Sequence, residues 1–69
     1  MPYVNIKMYP GRPEELKQEL ARRVRDTVLE LCNLDDPEIC PVVIEEVPRE
    51  DWQAQVVPEI EARAAQRYP

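Results

Sequence analysis

Proline occupies the second position of the chain, directly after the initiator methionine. Methionine aminopeptidases remove an initiator methionine when the next residue is small, and proline qualifies. The mature chain would then begin with Pro2, whose backbone nitrogen would be a secondary amine. An α-amino group has an ordinary pKa of about 8, and both burial and a nearby positive charge lower it. Pro2 is therefore a candidate general base near neutral pH. The alternative is a structural proline at the first residue of a strand.

Other side chains offer few routes to catalysis. The chain has no histidine, so the usual general base and the Ser/His and Cys/His pairs are absent. Cys32 and Cys40 lack the spacing of a zinc site or a redox pair. A single glycine, Gly11, excludes a glycine-rich phosphate loop. We therefore expect chemistry without a cofactor or a metal, with Pro2 as the base.

Two other residues are candidates for a substrate site. Arg12 follows the turn after the first predicted strand, where its guanidinium could bind a carboxylate in bidentate fashion. The same charge could lower the pKa of the Pro2 amine. An exposed turn arginine is the alternative. Trp52 could form an apolar wall of the site, or it could be a core or interface residue.

The elements that position these residues follow from hydrophobic periodicity. Residues 3 to 8 alternate, which predicts a half-buried strand that ends at the turn Tyr9-Pro10-Gly11. A helix is predicted from Pro13, as its first residue, to about Cys32. Its apolar face contains Leu16, Leu20, Val24, Val28 and Leu31. Glu19 precedes Arg22 and Arg23 on the polar side and favours local ion pairs.

The second half of the chain is predicted to contain a loop, a second strand and a C-terminal helix. Residues 33 to 38 are predicted to form a loop or a short helical turn, followed by a strand from about Ile39 to Val47. Asp51 is a possible N-cap for a C-terminal helix. Pro58 should kink that helix or divide it in two.

These elements predict an α+β fold, with a β-α-β unit, parallel strands and a C-terminal helix, in a single domain of residues 1–69. Two strands are not a stable sheet in water, and a chain of 69 residues rarely buries a sufficient core alone. Oligomerisation is the remaining means of stabilisation. We therefore expect a homo-oligomer whose subunits share a core.

Charge and hydropathy limit the partners. The net charge is −5, and no basic stripe is present, so we expect no nucleic acid. No apolar run is long enough to span a membrane, and no signal peptide is visible. A cytoplasmic location is the expectation.

The order of these features resembles the 4-oxalocrotonate tautomerase family. Pro2, the short alternating strand, Gly11-Arg12 and the long amphipathic helix occur in the family's order and spacing. The resemblance implies an oligomeric β-α-β enzyme with an amino-terminal proline as its base. The segment Glu50-Asp51-Trp52-Gln53-Ala54 resembles a dimeric branch, the PptA-like branch, in which a C-terminal helix replaces a hairpin.

The resemblance also implies roles for individual residues. Pro2 would be the base, Arg12 would bind the substrate carboxylate, and Trp52 would be an aromatic wall. The family's second arginine corresponds to Cys40 or Pro41 here, and Arg49 is a possible substitute. The implied reaction is enol–keto proton transfer on a 2-oxo acid, with a monocarboxylate enol favoured. Two alternatives stay open. One is a hydratase or decarboxylase that uses protonated Pro2 as an acid, and the other is a non-catalytic dimeric interaction module.

Overall fold

The computed structural model describes residues 1–69 and contains one two-stranded sheet with helices on both faces. Its elements, in chain order, are β1 (Val4–Met8), α1 (Glu14–Leu31), β2 (Val42–Glu46), α2 (Arg49–Gln55) and α3 (Val57–Ala62). The strands pair in parallel, with Val4 beside Val42 and Met8 beside Glu46. The predicted parallel β-α-β arrangement is confirmed.

Helix α1 is bounded by backbone features at both ends. Pro13 is its N-cap rather than its first residue, and the Pro13 carbonyl accepts the amide of Leu16 at 3.1 Å. At the other end Asn33 has a left-handed φ of 56°. The amide of Leu34 then donates to the Leu29 carbonyl at 2.8 Å, which completes a Schellman C-cap. The chain is thereby turned back toward the start of β2.

Strand β2 begins at Val42 rather than Ile39, so the predicted start was wrong. A single 3₁₀ turn, Pro37–Ile39, occupies the segment before it. The Asp36 carboxylate accepts the amide of Glu38 at 3.0 Å, and Pro37 is in the first turn. A capping aspartate followed by proline favours a helical turn over a strand. The β-strand therefore starts only at Val42.

The C-terminal segment is divided into two short helices, as predicted from Pro58. Helix α2 ends at Gln55, and Pro58 lies in the first turn of α3, where its missing N–H has no helical partner to lose. Asp51 was wrongly predicted as the N-cap, because Pro48 has that role and accepts the Asp51 amide at 2.9 Å. No helix is both long and apolar enough to cross a membrane.

The two faces of the sheet carry different elements. Lys17 on α1 contacts Glu46 of β2 at 2.9 Å, so α1 lies against the face that also carries Val42 and Ile44. On the opposite face, Lys7 of β1 forms an ion pair with Glu59 of α3. Side chains alternate between the faces of a strand, which explains this division.

The core of the single chain is small. Only Cys40, Val47 and Val56 are buried, whereas Val43 and Ile60 remain 43% and 38% exposed. The chain exposes 5657 Å², while a compact protein of 8.1 kDa is expected to expose about 4,500 Å². Its shape is flat, with extents of 38 × 32 × 19 Å. Much apolar surface of the sheet and the helices is therefore uncovered.

Candidate active site

Tyr9 lies at the centre of the predicted binding residues. The guanidinium carbon of Arg49 lies 4.3 Å from the centroid of the Tyr9 ring. The Trp52 ring meets the same ring edge to face, with centroids 4.7 Å apart and an interplanar angle of 67°. Arg12 donates from Nη1 to the Tyr9 carbonyl at 3.3 Å. We call these four residues the cationic cluster.

The topology of the fold brings the cationic cluster together. Tyr9 directly follows β1, and Gly11 with a φ of +118° turns the chain so that Arg12 returns to the Tyr9 carbonyl. Because the strands are parallel, β2 ends at the same edge of the sheet as β1. Helix α2 begins there and supplies Arg49 and Trp52.

The cationic cluster is suited to an anion with an apolar body. Neither Arg12 nor Arg49 has a carboxylate within 4.0 Å, so neither charge is neutralised by an acidic side chain. Both side chains are exposed, and Trp52 is half-buried beside them. Guanidinium groups match the geometry of a carboxylate, and aromatic faces cover the rest of a small planar molecule.

Pro2 lies at the opposite end of the sheet from the cationic cluster. It precedes β1, whereas Tyr9 follows it, and extended chain of this length separates the two by about 20 Å. Pro2 is half-buried, and Met1 before it is 95% exposed. A single chain thus brings Arg12, Arg49 and Trp52 together but does not bring Pro2 to them. Arg12 of the same chain is too distant to affect the Pro2 nitrogen.

A groove runs along the sheet face opposite α1 and has a volume of about 440 Å³. Trp52 and Val56 form part of its wall, and Arg63 and Arg67 line it as well. The hydrogen bond from Lys7 lowers the pKa of the Glu59 carboxyl and raises the pKa of the Lys7 ammonium. Both groups therefore stay charged over a wide pH range and tie α3 to β1.

Potential metal ligands are not grouped in this chain. No set of three or more His, Cys, Asp or Glu side chains lies close enough to hold a metal ion. The candidate site instead consists of arginine and aromatic groups.

Comparison with known proteins identifies the fold. The family model described as tautomerase enzyme matches residues 2–59. The chain belongs to the tautomerase family. The chain is also 42% identical over 62 residues to a probable tautomerase of Xylella fastidiosa (strain 9a5c). That match covers 88% of this chain and 74% of the relative.

Family membership confirms the resemblance found in the sequence and the tautomerase fold. It also indicates that the protein is an isomerase of the tautomerase class. The matched region begins at Pro2 and includes Arg12, Arg49 and Trp52. Assignment to the PptA-like branch and the roles of the individual residues stay predictions.

Sequence reasoning missed Tyr9. It was assigned only to the turn after β1, although an aromatic residue beside two arginines is a recognised cation–π partner. The signal was weak, because Arg49 and Trp52 are far from Tyr9 along the chain.

Proposed function

We propose that this tautomerase converts the enol of a 2-oxo acid to its ketone, with the Pro2 amine as the base. The neutral amine takes the enol hydroxyl proton, the C2–O bond becomes a carbonyl, and the protonated amine returns a proton to the neighbouring carbon. The proton balance closes without a cofactor. The observation that carries the proposal is the pair of unneutralised arginines around Tyr9, in a tautomerase whose family match begins at Pro2.

The substrate we propose is a small carboxylate with an unsaturated or aromatic body. Arg12 binds the carboxylate, and Arg49, held against the Tyr9 ring, adds a second positive charge. Trp52 packs against the body of the substrate and limits the access of water, which strengthens the charge interactions. The enol of an aryl pyruvate satisfies all three requirements.

We propose that two copies of the chain assemble each site, in a homodimer. Pro2 and the cationic cluster of one chain are about 20 Å apart, and a small acid cannot contact both. The uncovered apolar surface supports association. In a two-fold pair, the Pro2 end of one copy can meet the cationic cluster of the other, and symmetry then creates two equivalent sites.

The first experiment tests the base. Protein with Met1 removed, established by intact mass, is mixed with the enol of phenylpyruvate, and the loss of enol absorbance is followed. Pro2→Ala should lower kcat about 100-fold or more, because general bases contribute that much. Protein that retains Met1 should be inactive, since the Pro2 nitrogen is then an amide. Turnover by that form, or an unchanged Pro2→Ala rate, would contradict the proposal.

A second experiment tests the shared site. Pro2→Ala and Arg12→Ala proteins, each nearly inactive, are mixed under conditions that allow subunit exchange. Random pairing gives one intact site in each mixed dimer, so activity should recover to about a quarter of the wild-type value. If every site lies within one chain, mixing restores nothing. Circular dichroism and sedimentation establish beforehand that both variants fold and associate.

The Pro2 pKa separates the alternatives. A value near neutral supports a base, whereas a value well above neutral supports a hydratase or decarboxylase that uses the protonated amine as an acid. Absence of all turnover in trimmed protein supports an interaction module.

A further inference from the structure

The groove on the sheet face opposite α1 is a cavity distinct from the cationic cluster. Its volume of about 440 Å³ is within the range of sites that hold small molecules. Trp52 is the one residue that the two share, since Tyr9, Arg12 and Arg49 do not line the groove. A ligand in the groove would therefore meet charged groups other than those proposed for the substrate carboxylate.

The lining of the groove is positively charged, although the chain as a whole is acidic. Lys7 and Glu59 line the groove as an ion pair and neutralise each other. Arg63 and Arg67 are the other charged residues of the lining, which therefore has a net charge of +2. The whole chain carries −5. The local excess of positive charge favours an anion as the ligand.

The charges of Arg63 and Arg67 are not neutralised by an acidic side chain. No carboxylate lies within 4.0 Å of either guanidinium. Neither side chain donates a hydrogen bond within the chain. Guanidinium groups with unoccupied N–H groups bind a carboxylate or a similar anion by charge-assisted hydrogen bonds.

The backbone after α3 brings these two arginines to one cavity. Arg63 is the C-cap of α3, and a single 3₁₀ turn, Ala64–Gln66, follows it. The Gln66 amide donates to the Arg63 carbonyl at 3.0 Å, and the Arg67 amide donates to the Ala64 carbonyl at 3.3 Å. Both arginines lie outside residues 2–59, which the family model matches. The positive charge of the groove is therefore additional to the region that the family model describes.

The groove also offers an apolar surface. Its hydrophobic lining residues are Trp52, Val56 and Ile60. Val56 is buried, but Trp52 is half-buried and Ile60 is exposed, so the last two can contact a ligand. An indole and a branched aliphatic side chain are complementary to an aryl or alkyl group, which leaves water when it packs against them.

We propose that the groove is a second ligand site, which binds a small organic acid with an aryl or alkyl body. The anionic group lies at Arg63 and Arg67, and the body packs against Trp52. Lys7 and Glu59, held in their ion pair, leave the groove without a free base, so the site binds and does not catalyse. The site does not depend on the proposed tautomerase reaction.

The first test uses Trp52, the only tryptophan of the chain, as the reporter. The acid 4-phenylbutyrate is titrated into the full chain, and tryptophan fluorescence is followed. The uncharged 4-phenylbutanamide has the same body and is the control ligand. We expect a saturable change with the acid and an affinity about fivefold lower or less for the amide, because the amide lacks the charge that the arginines bind. Equal affinities would overturn the proposal.

A pair of double variants tests the arginines. Arg63→Gln with Arg67→Gln removes two charges from the groove, and Arg22→Gln with Arg23→Gln removes two from the exposed side of α1. We expect the first protein to bind 4-phenylbutyrate about fivefold more weakly or worse, and the second to stay within about twofold of wild type. Wild-type affinity in a folded Arg63→Gln/Arg67→Gln protein would contradict the proposal.

Because Trp52 borders both sites, the position of the ligand needs its own measurement. Amide NMR spectra should shift at Asn5 and Gln66, which line the groove, and Arg12→Gln with Arg49→Gln should leave these shifts in place. Shifts confined to the cationic cluster would instead assign the ligand to the substrate site and overturn the inference.

A second copy of the chain is the other candidate for the groove, since Ile60 is exposed there. Sedimentation is therefore measured with and without 4-phenylbutyrate. The proposal expects binding without a change of association state. Binding that occurs only when the chains dissociate would show that a second copy fills the groove, and would overturn the proposal.

Discussion

Arg49 lies over the face of the Tyr9 ring, with its guanidinium carbon 4.3 Å from the ring centroid. The two residues come from the end of β1 and the start of α2, so the contact fixes how these segments meet. An arginine held on an aromatic face keeps its N–H groups free for a ligand. Tyr9 is thus a positioning residue for the proposed carboxylate site.

Removing the Tyr9 ring should weaken substrate binding more than catalysis. We expect Tyr9→Leu to raise KM about five- to tenfold with a smaller change in kcat, because Arg49 loses its support while Pro2 is untouched. Tyr9→Phe keeps the ring and should behave almost as wild type. Steady-state kinetics on the enol of phenylpyruvate measure both. An unchanged KM in Tyr9→Leu would show that the ring does not position Arg49.

Acid should release α3 from the sheet. The pKa of Glu59 is lowered by its hydrogen bond from Lys7, so this ion pair stabilises the fold above the ordinary glutamate pKa of 4.5. The contribution is lost as the pH falls through the lowered folded value. We expect the amide protection factors of α3 to fall as the pH drops below 4.5. In Glu59→Gln the pH dependence should disappear, whereas Glu19→Gln, a change within α1, should leave α3 as in wild type.

A side chain at Gly11 should destabilise the fold moderately. Its φ of +118° is disfavoured for all other residues, and an added Cβ would meet no atom within 4 Å. The effect of Gly11→Ala is therefore backbone strain alone, and we expect the free energy of unfolding to fall by about 1–2 kcal/mol. Urea denaturation measures it. Asn33→Gly, at the other left-handed position, should be neutral or stabilising; a loss there would contradict this account.

A charge on the uncovered face should separate the proposed dimer. Ile60 is already 38% exposed in the single chain, so Ile60→Asp should affect the fold of one chain little. In the dimer the new carboxylate would be desolvated, and we expect monomers in sedimentation and loss of enol turnover. Ala62→Asp adds the same charge on the other side of α3 and is the control. A dimeric Ile60→Asp protein would place the interface elsewhere.

Periodicity predicted the fold well because the helices and strands here have regular apolar faces. The alternation of residues 3 to 8 and the apolar face of α1 each gave the right element. The errors occurred where proline and a capping residue outweighed propensity. The 3₁₀ turn Pro37–Ile39, capped by Asp36, includes Ile39, where the strand was predicted to begin, and Pro48 replaces Asp51 as the cap of α2.

The site was predicted less completely than the fold. Arg12, Arg49 and Trp52 were identified from residue type and resemblance, and the structure gathers them around Tyr9. The separation of Pro2 from Arg12 could have been anticipated from the length of extended chain between them. The place of Arg63 and Arg67 along the groove could not, because it depends on where α3 lies relative to the sheet.

The opposite placement of Pro2 and the cationic cluster has a kinetic consequence. In the proposed assembly an isolated chain contains both Pro2 and the cationic cluster, but one substrate molecule cannot contact both. Below the dissociation constant of the pair, the observed velocity should increase with the square of the protein concentration, and the specific activity should fall on dilution.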